Sequence, residues 1–177
     1  MIFILTATKE EYELAKKYLP NYHVFKTGVG ASNVIKTLSA MTQLYSDCHH
    51  FINVGFCGSN KLPIGTVTKV SKSFRLVDKT VEFEDFRNGY EFNDFEGHDC
   101  YTSNSFVTES TSDAPVLYDM ELNYMAAFPI DLVGSVKIVS DNLNVAEYET
   151  TIDATSSELW AEVRKKVEEI ARKRSQP

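Results

Sequence analysis

The stretch VLYDMELNYMA, residues 116–126, sets Asp119 and Glu121 on either side of Met120 inside an otherwise apolar run. A buried carboxylate without a partner costs several kcal/mol, comparable with the whole stability of a domain, so these acids must reach solvent or be held for a purpose. Two further acids share the setting. Asp141 ends the aliphatic stretch KIVSD directly after Ser140, and Glu11 comes shortly after the apolar IFILT. Each also fits a plainer part: Asp141 as a helix N-cap, and Glu10 and Glu11 as first-turn acids favoured by a helix dipole. Together the acids close three separate strand candidates, and in a parallel-rich α/β sheet such ends converge on one crevice. Separated carboxylates in one pocket suit cleavage of a glycosidic bond. One protonates the leaving group, another activates water, and a third stabilises the sugar as it becomes cationic.

Alternating strand and helix patterns must position these residues. IFILT reads as a buried strand, and KEEYELAKKYL as a helix with acids early, lysines late and Pro20–Asn21 as its stop. YHVFKT predicts a second strand, ASNVIKTLSAMTQLY an amphipathic helix through Val34, Leu38, Met41 and Leu44, and HFINV a third strand ending in GFCGSN, whose glycines fit either a plain turn or a strand end that meets a ligand. GTVTKVSKSF alternates with period two, and CYTSNSFV, PVLYD and SVKIVSD complete the strand candidates. A last helix carries the stripe Leu159, Val163, Val167 and Ile170, with Thr155 and Glu158 at capping-box spacing. Between Phe74 and Cys100 the acidic, aromatic sequence has little period. The expected architecture is a single α/β domain over residues 1–177, with a mixed central β-sheet flanked by helices.

Composition excludes several classes. The formal net charge of -7 argues against nucleic acid or an anionic membrane as the main partner, and no apolar run approaches the ~20 residues of a bilayer span. No basic residue precedes the apolar N-terminal segment, so it does not read as a secretory signal. Cys48, Cys57 and Cys100 are odd in number and lack C-x-x-C spacing, which predicts reduced thiols and a cytoplasmic protein. The four histidines show no metal-ligand spacing. TGVGASN has two glycines of a dinucleotide fingerprint but Asn33 in place of the third, so a close backbone approach to a ligand is the better reading.

The order of these motifs resembles the purine nucleoside phosphorylase superfamily, most nearly its methylthioadenosine/S-adenosylhomocysteine nucleosidase branch, in a shortened form. The register runs from ILTATKEE through TGVGASN, INVGFCGS and IGTVTKVS to TSNSFV, YDMEL and VKIVSD. The resemblance implies a nucleosidase that hydrolyses the N-glycosidic bond of a purine nucleoside. Asp141 would protonate N7 of the leaving purine, with Ser140 orienting the base, and Glu11 would activate water at the anomeric carbon. Glu121 would bind the ribose hydroxyls and Met120 would pack against the sugar. Asp119 stands where the family has glutamate. Phe106 would stack on the purine, the Val107 backbone would meet its edge, and Phe56, Cys57 and Gly58 would line the pocket. No metal or organic cofactor is implied, and a homodimer is.

Departures from the pattern carry information. Phe56 replaces a small polar residue and Lys137 replaces an arginine near the water and ribose network. The middle segment, from which a partner subunit's loop closes the pocket in the family, is abbreviated, so the 5′ substituent stays open. Two alternatives stand beside hydrolysis. A phosphorylase would need a cationic cradle, for which only Arg75 and Arg87 lie outside the last helix. A non-catalytic nucleoside-binding module would keep the pocket and lose turnover.

Overall fold

The computed structural model describes residues 1–45, 49–77, 80–81, 89–92 and 96–175. Its chain order begins β1 (Ile2–Thr6), α1 (Lys9–Tyr18), β2 (His23–Lys26), α2 (Ala31–Leu44), β3 (His50–Ser59) and β4 (Val67–Val77). Short pieces β5 (Thr80–Val81) and β6 (Tyr90–Glu91) precede β7 (His98–Thr102), β8 (Leu117–Asp119) and α3 (Leu122–Ala126). The long β9 (Asp131–Asp141), α4 (Val145–Asp153) and α5 (Ser157–Ser175) complete it. The mixed α/β architecture agrees with the sequence pattern.

The sheet closes on itself. β3 runs parallel to β9, β9 antiparallel to β4, β4 parallel to β7, β7 parallel to β8, and β8 returns antiparallel to the end of β3. This ring of five strands extends outward through β1, which pairs parallel with both β3 and β2. Alternation along β1 divides the core between its faces. Ile4 packs with Val136, Ile138, Trp160, Val163 and Ile170 beneath α1 and α5, whereas Phe3 and Leu5 pack with Val34, Leu38, Leu122 and Met125 beneath α2 and α3.

Two local features place the site. β1 pairs with β3 as far as Asn53, and β8 joins the same edge only at Gly58. That leaves a gap in the edge around Phe56. On the other edge, Cys57 pairs with Val139 but Gly58 with Asp141, so Ser140 is an extra residue in a β-bulge. Bulges re-aim side chains, and this one lies directly before Asp141, the last residue of β9.

The structure corrects several expectations. Phe56–Gly58 is not a turn but the continuation of β3, which stays paired with β9 through Gly58 and with β8 at Gly58 and Ser59. The TSNSFV strand stops at Thr102, leaving Phe106 and Val107 in an irregular segment. The α5 start is not capped by the Thr155–Glu158 box: Ser156 Oγ accepts from the Leu159 N–H at 3.3 Å, and Thr155 Oγ1 is buried without a partner among the described residues. Asp141 is not the N-cap of α4 either; Asn144 is, accepting from the Ala146 N–H. Cys48 and Arg87 lie outside the described residues, while Cys57 and Cys100 are free and buried. No helix among the described residues is long and apolar enough to cross a membrane.

Candidate active site

Glu11 is the third residue of α1 and the partner of Thr8 in a capping box, since each side chain accepts from the other's backbone N–H. The first-turn reading of this acid is therefore correct as far as it goes. Its Oε2 also accepts from Ala7 N at 2.8 Å, and its Oε1 reaches across to Phe56 N at 2.8 Å. The Phe56 N–H is one that the gap in the β3 edge would otherwise strand without a partner. One lone pair of Oε1 remains for a water or ligand.

Asp141 sits on the opposite wall. Its Oδ2 lies 2.8 Å from Ser140 Oγ, and its Oδ1 accepts from Leu143 N at 3.0 Å across a turn in which Leu143 has φ +65°. Burial lifts its carboxyl above the usual range, although the Ser140 hydroxyl and the N–H groups of Leu143 and Asn144 oppose the rise. Ser140 has one proton for two neighbours, Asp141 and the Cys57 carbonyl at 3.1 Å. With the hydroxyl turned to Cys57, its oxygen is an acceptor facing Asp141, which suits a protonated acid.

The glycines of GFCG make room for both acids. A Cβ on Gly55 would lie 2.8 Å from Glu11 Oε1, and one on Gly58 would lie 2.9 Å from Asp141 Oδ1. Their backbones are ordinary, so close approach alone explains the residue type.

The remaining two acids divide into an anchored one and a poised one. Asp119 ends β8 and is saturated: Oδ1 accepts from Thr102 Oγ1 at 2.6 Å, and Oδ2 from Lys137 Nζ at 2.7 Å and Leu122 N at 3.0 Å. Burial works against the Lys137 charge, but Asp119 more than restores it and holds the ammonium above its ordinary range. The side chain of Glu121, at the start of α3, accepts one hydrogen bond among the described residues, from Gly30 N at 3.1 Å. Burial, followed by the charges of Asp119 and Glu11, pushes its carboxyl up to about 8 against the opposing pull of Lys137 and Gly30 N–H.

Around these groups lies a cavity of about 250 Å³, lined by Glu11, Asp119, Met120, Glu121, Ser140, Asp141, Phe56, Cys57, Gly58 and Phe106. Every site residue expected from the sequence is on that wall except Val107, which borders two neighbouring cavities. Burial raises the Cys57 thiol, so it is a neutral part of the wall. Among the described residues no group of His, Cys, Asp and Glu could hold a metal ion. Sequence reasoning missed Tyr148 of α4, which also lines the cavity and meets Phe106 edge-on with ring centres 6.2 Å apart. It missed the pairing of Lys137 with Asp119 too. A lone lysine in the aliphatic SVKIVSD was the available signal for that pair, because a buried cation demands an acid.

No family model matches the sequence, and neither does any curated protein. The fold, however, is similar to that of several solved nucleosidases. The 5′-methylthioadenosine/S-adenosylhomocysteine nucleosidase of Helicobacter pylori superposes with a TM-score of 0.68 at 13% identity, covering 97% of each chain. A nucleosidase from Chlamydia trachomatis gives 0.68 at 14%, covering 96% of each chain. A mutant of the futalosine hydrolase of Helicobacter pylori gives 0.74 at 14%, covering 97% of this chain and 98% of that one. The chain thus has the nucleoside phosphorylase-like fold, which is also the fold of these N-glycosidic hydrolases.

Proposed function

We propose that the chain is a purine nucleosidase that splits the N-glycosidic bond with water. The observation that carries this reading is Asp141, a buried acid with a raised pKa facing Glu11 and Glu121 across one cavity. In this mechanism the base stacks on Phe106 and Asp141 donates its proton to N7 as the bond from C1′ to N9 breaks. Protonation neutralises the charge the leaving base would otherwise carry. Glu121 accepts from the ribose hydroxyls, Met120 packs on the sugar, and Glu11 orients the water that adds to C1′ and takes the proton this water gives up. Asp119, with both oxygens engaged by the protein, acts as a positioning residue that fixes the start of α3 and thereby Glu121.

Water is favoured over phosphate because no free cation lines the cavity among the described residues. Lys137 is engaged by Asp119, and Arg75 borders a neighbouring cavity. The fold likeness to methylthioadenosine and futalosine hydrolases supports a nucleoside substrate. Exposed Val29 on the cavity rim and exposed Ile35 in the second turn of α2 support a homodimer meeting there. The test is chromatographic detection of free base from methylthioadenosine, S-adenosylhomocysteine, futalosine, adenosine and inosine. Release without phosphate supports hydrolysis, and release only with phosphate moves the protein to the phosphorylases. Ligand-induced stabilisation without release leaves a binding module.

A further inference from the structure

A second and larger cavity, of about 510 Å³, lies beyond Phe106. Its walls include Arg75 of β4, Tyr124 of α3 and the hydroxyl residues Ser103, Ser105 and Thr108. A small void of about 30 Å³ borders both spaces: it shares Asp141, Met120 and Gly58 with the first and Ser105 and Val107 with the second. The three spaces are thus neighbours along one wall, from Asp141 in the candidate active site to Arg75.

The chemistry of that wall is set by its ends. The Arg75 guanidinium lies over the Tyr124 ring, 5.5 Å from its centre, and its buried Nε has no hydrogen-bond partner among the described residues. The Tyr124 hydroxyl is already committed to Asn104 Oδ1 at 2.6 Å, which fixes the ring beneath the cation. Glu109, exposed on the wall, is the one acid there among the described residues, and no ion pair joins it to Arg75. An orphaned guanidinium donor beside serine and threonine hydroxyls is a site for a carboxylate or similar oxyanion.

At the other end, the proposed role of Asp141 fixes how a purine lies. N7 and the substituent at position 6 share one edge of the base. With N7 at Asp141, the group at position 6 points along that edge into the small void and on toward Ser105 and Val107. Resting on the proposed function, we infer that the substrate is a purine nucleoside carrying an anionic substituent on its 6-amino group, with Arg75 as the residue that selects it. A plain adenine would leave the second cavity unused.

The test compares adenosine, N6-(carboxymethyl)adenosine and the neutral amide of the latter as substrates of the wild-type protein and of Arg75→Met. The expected result is a kcat/KM for the acid above that for the amide by about ten- to a hundred-fold, the worth of a charge-assisted contact. That ratio is expected to collapse in Arg75→Met. Because both substrates are read in the same variant, any general loss of activity cancels. Equal rates for acid and amide, or a ratio unchanged in Arg75→Met, would overturn the inference. If no nucleoside is cleaved, the nucleosidase reading fails, and thermal stabilisation by N6-carboxymethyladenine against its amide then decides the Arg75 site alone. Equal stabilisation by the two bases would overturn it.

Discussion

Glu121 gives the most quantitative consequence of the site's electrostatics. Its carboxyl is raised from 4.5 to about 8 in the folded protein, chiefly by burial. The folded state therefore holds this proton more tightly than the unfolded chain does. The associated stability is fully present below about pH 4.5 and is lost as pH rises through about 8. At roughly 1.4 kcal/mol per pH unit, the shift corresponds to a loss on the order of 5 kcal/mol across that window. Glu121→Gln keeps the shape and can still accept the Gly30 N–H, but it cannot ionise. Urea denaturation at about pH 5, 7 and 9 is the assay, with stability read from the midpoint at constant slope. The variant is expected to match the wild type at the acid end and to exceed it by several kcal/mol at the alkaline end. Subtracting the two curves removes every group they share, including Asp141. A difference that stays flat with pH, or a variant that is weaker at pH 9, would refute the reasoning.

Two further consequences concern positions that hold the acids in place. Lys137→Met leaves Asp119 buried beside Glu121 without its cation, and breaking such a pair costs about 3–5 kcal/mol, or a fall in Tm of roughly 6–20 °C. The double variant Lys137→Met/Asp119→Leu is expected to recover much of that loss, and thermal melts showing purely additive losses would contradict the pairing. Gly58→Ala sets a Cβ 2.9 Å from Asp141 Oδ1 and 3.2 Å from Leu143 Cδ2 while asking nothing unusual of the backbone. Base release is expected to fall about ten- to a hundred-fold with a Tm change of only a few degrees, because misplacement of the acid rather than unfolding is the defect. Unchanged kinetics would mean that Asp141 need not stand where it does.

Much of the site was legible because chemistry and strand ends coincide. Asp119 and Asp141 are the last residues of β8 and β9, where the acids closing apolar runs placed them. Glu11 shows why the plain and the functional readings of a residue can both apply. Its Oε2 completes a capping box, and its Oε1 serves the open edge of β3 at the cavity. The GFCG stretch stayed ambiguous because glycines mark turns and close approaches alike, and only the three-dimensional neighbours of Gly55 and Gly58 separate the two. The bulge at Ser140 left no mark in the alternation of KIVSD, since its two flanking positions are filled by buried residues on either count. Tyr148 lay in NVAEYETTID, a stretch with weak amphipathic spacing whose helix is made legible only by the Asn144 cap. Arg75 had a charge but no addressee until the second cavity appeared beside Phe106.

The central claim is that Asp141 is the acid for the departing base, and its most direct test is base release by Asp141→Asn beside the wild type. The asparagine keeps the size of the side chain and the Leu143 contact but carries no transferable proton. The account predicts phosphate-independent release by the wild type that declines as pH rises through the elevated pKa of Asp141, together with a loss of about 10²–10⁴-fold in a variant that still folds. Release by Asp141→Asn at a rate near that of the wild type, with the same pH profile, would contradict it.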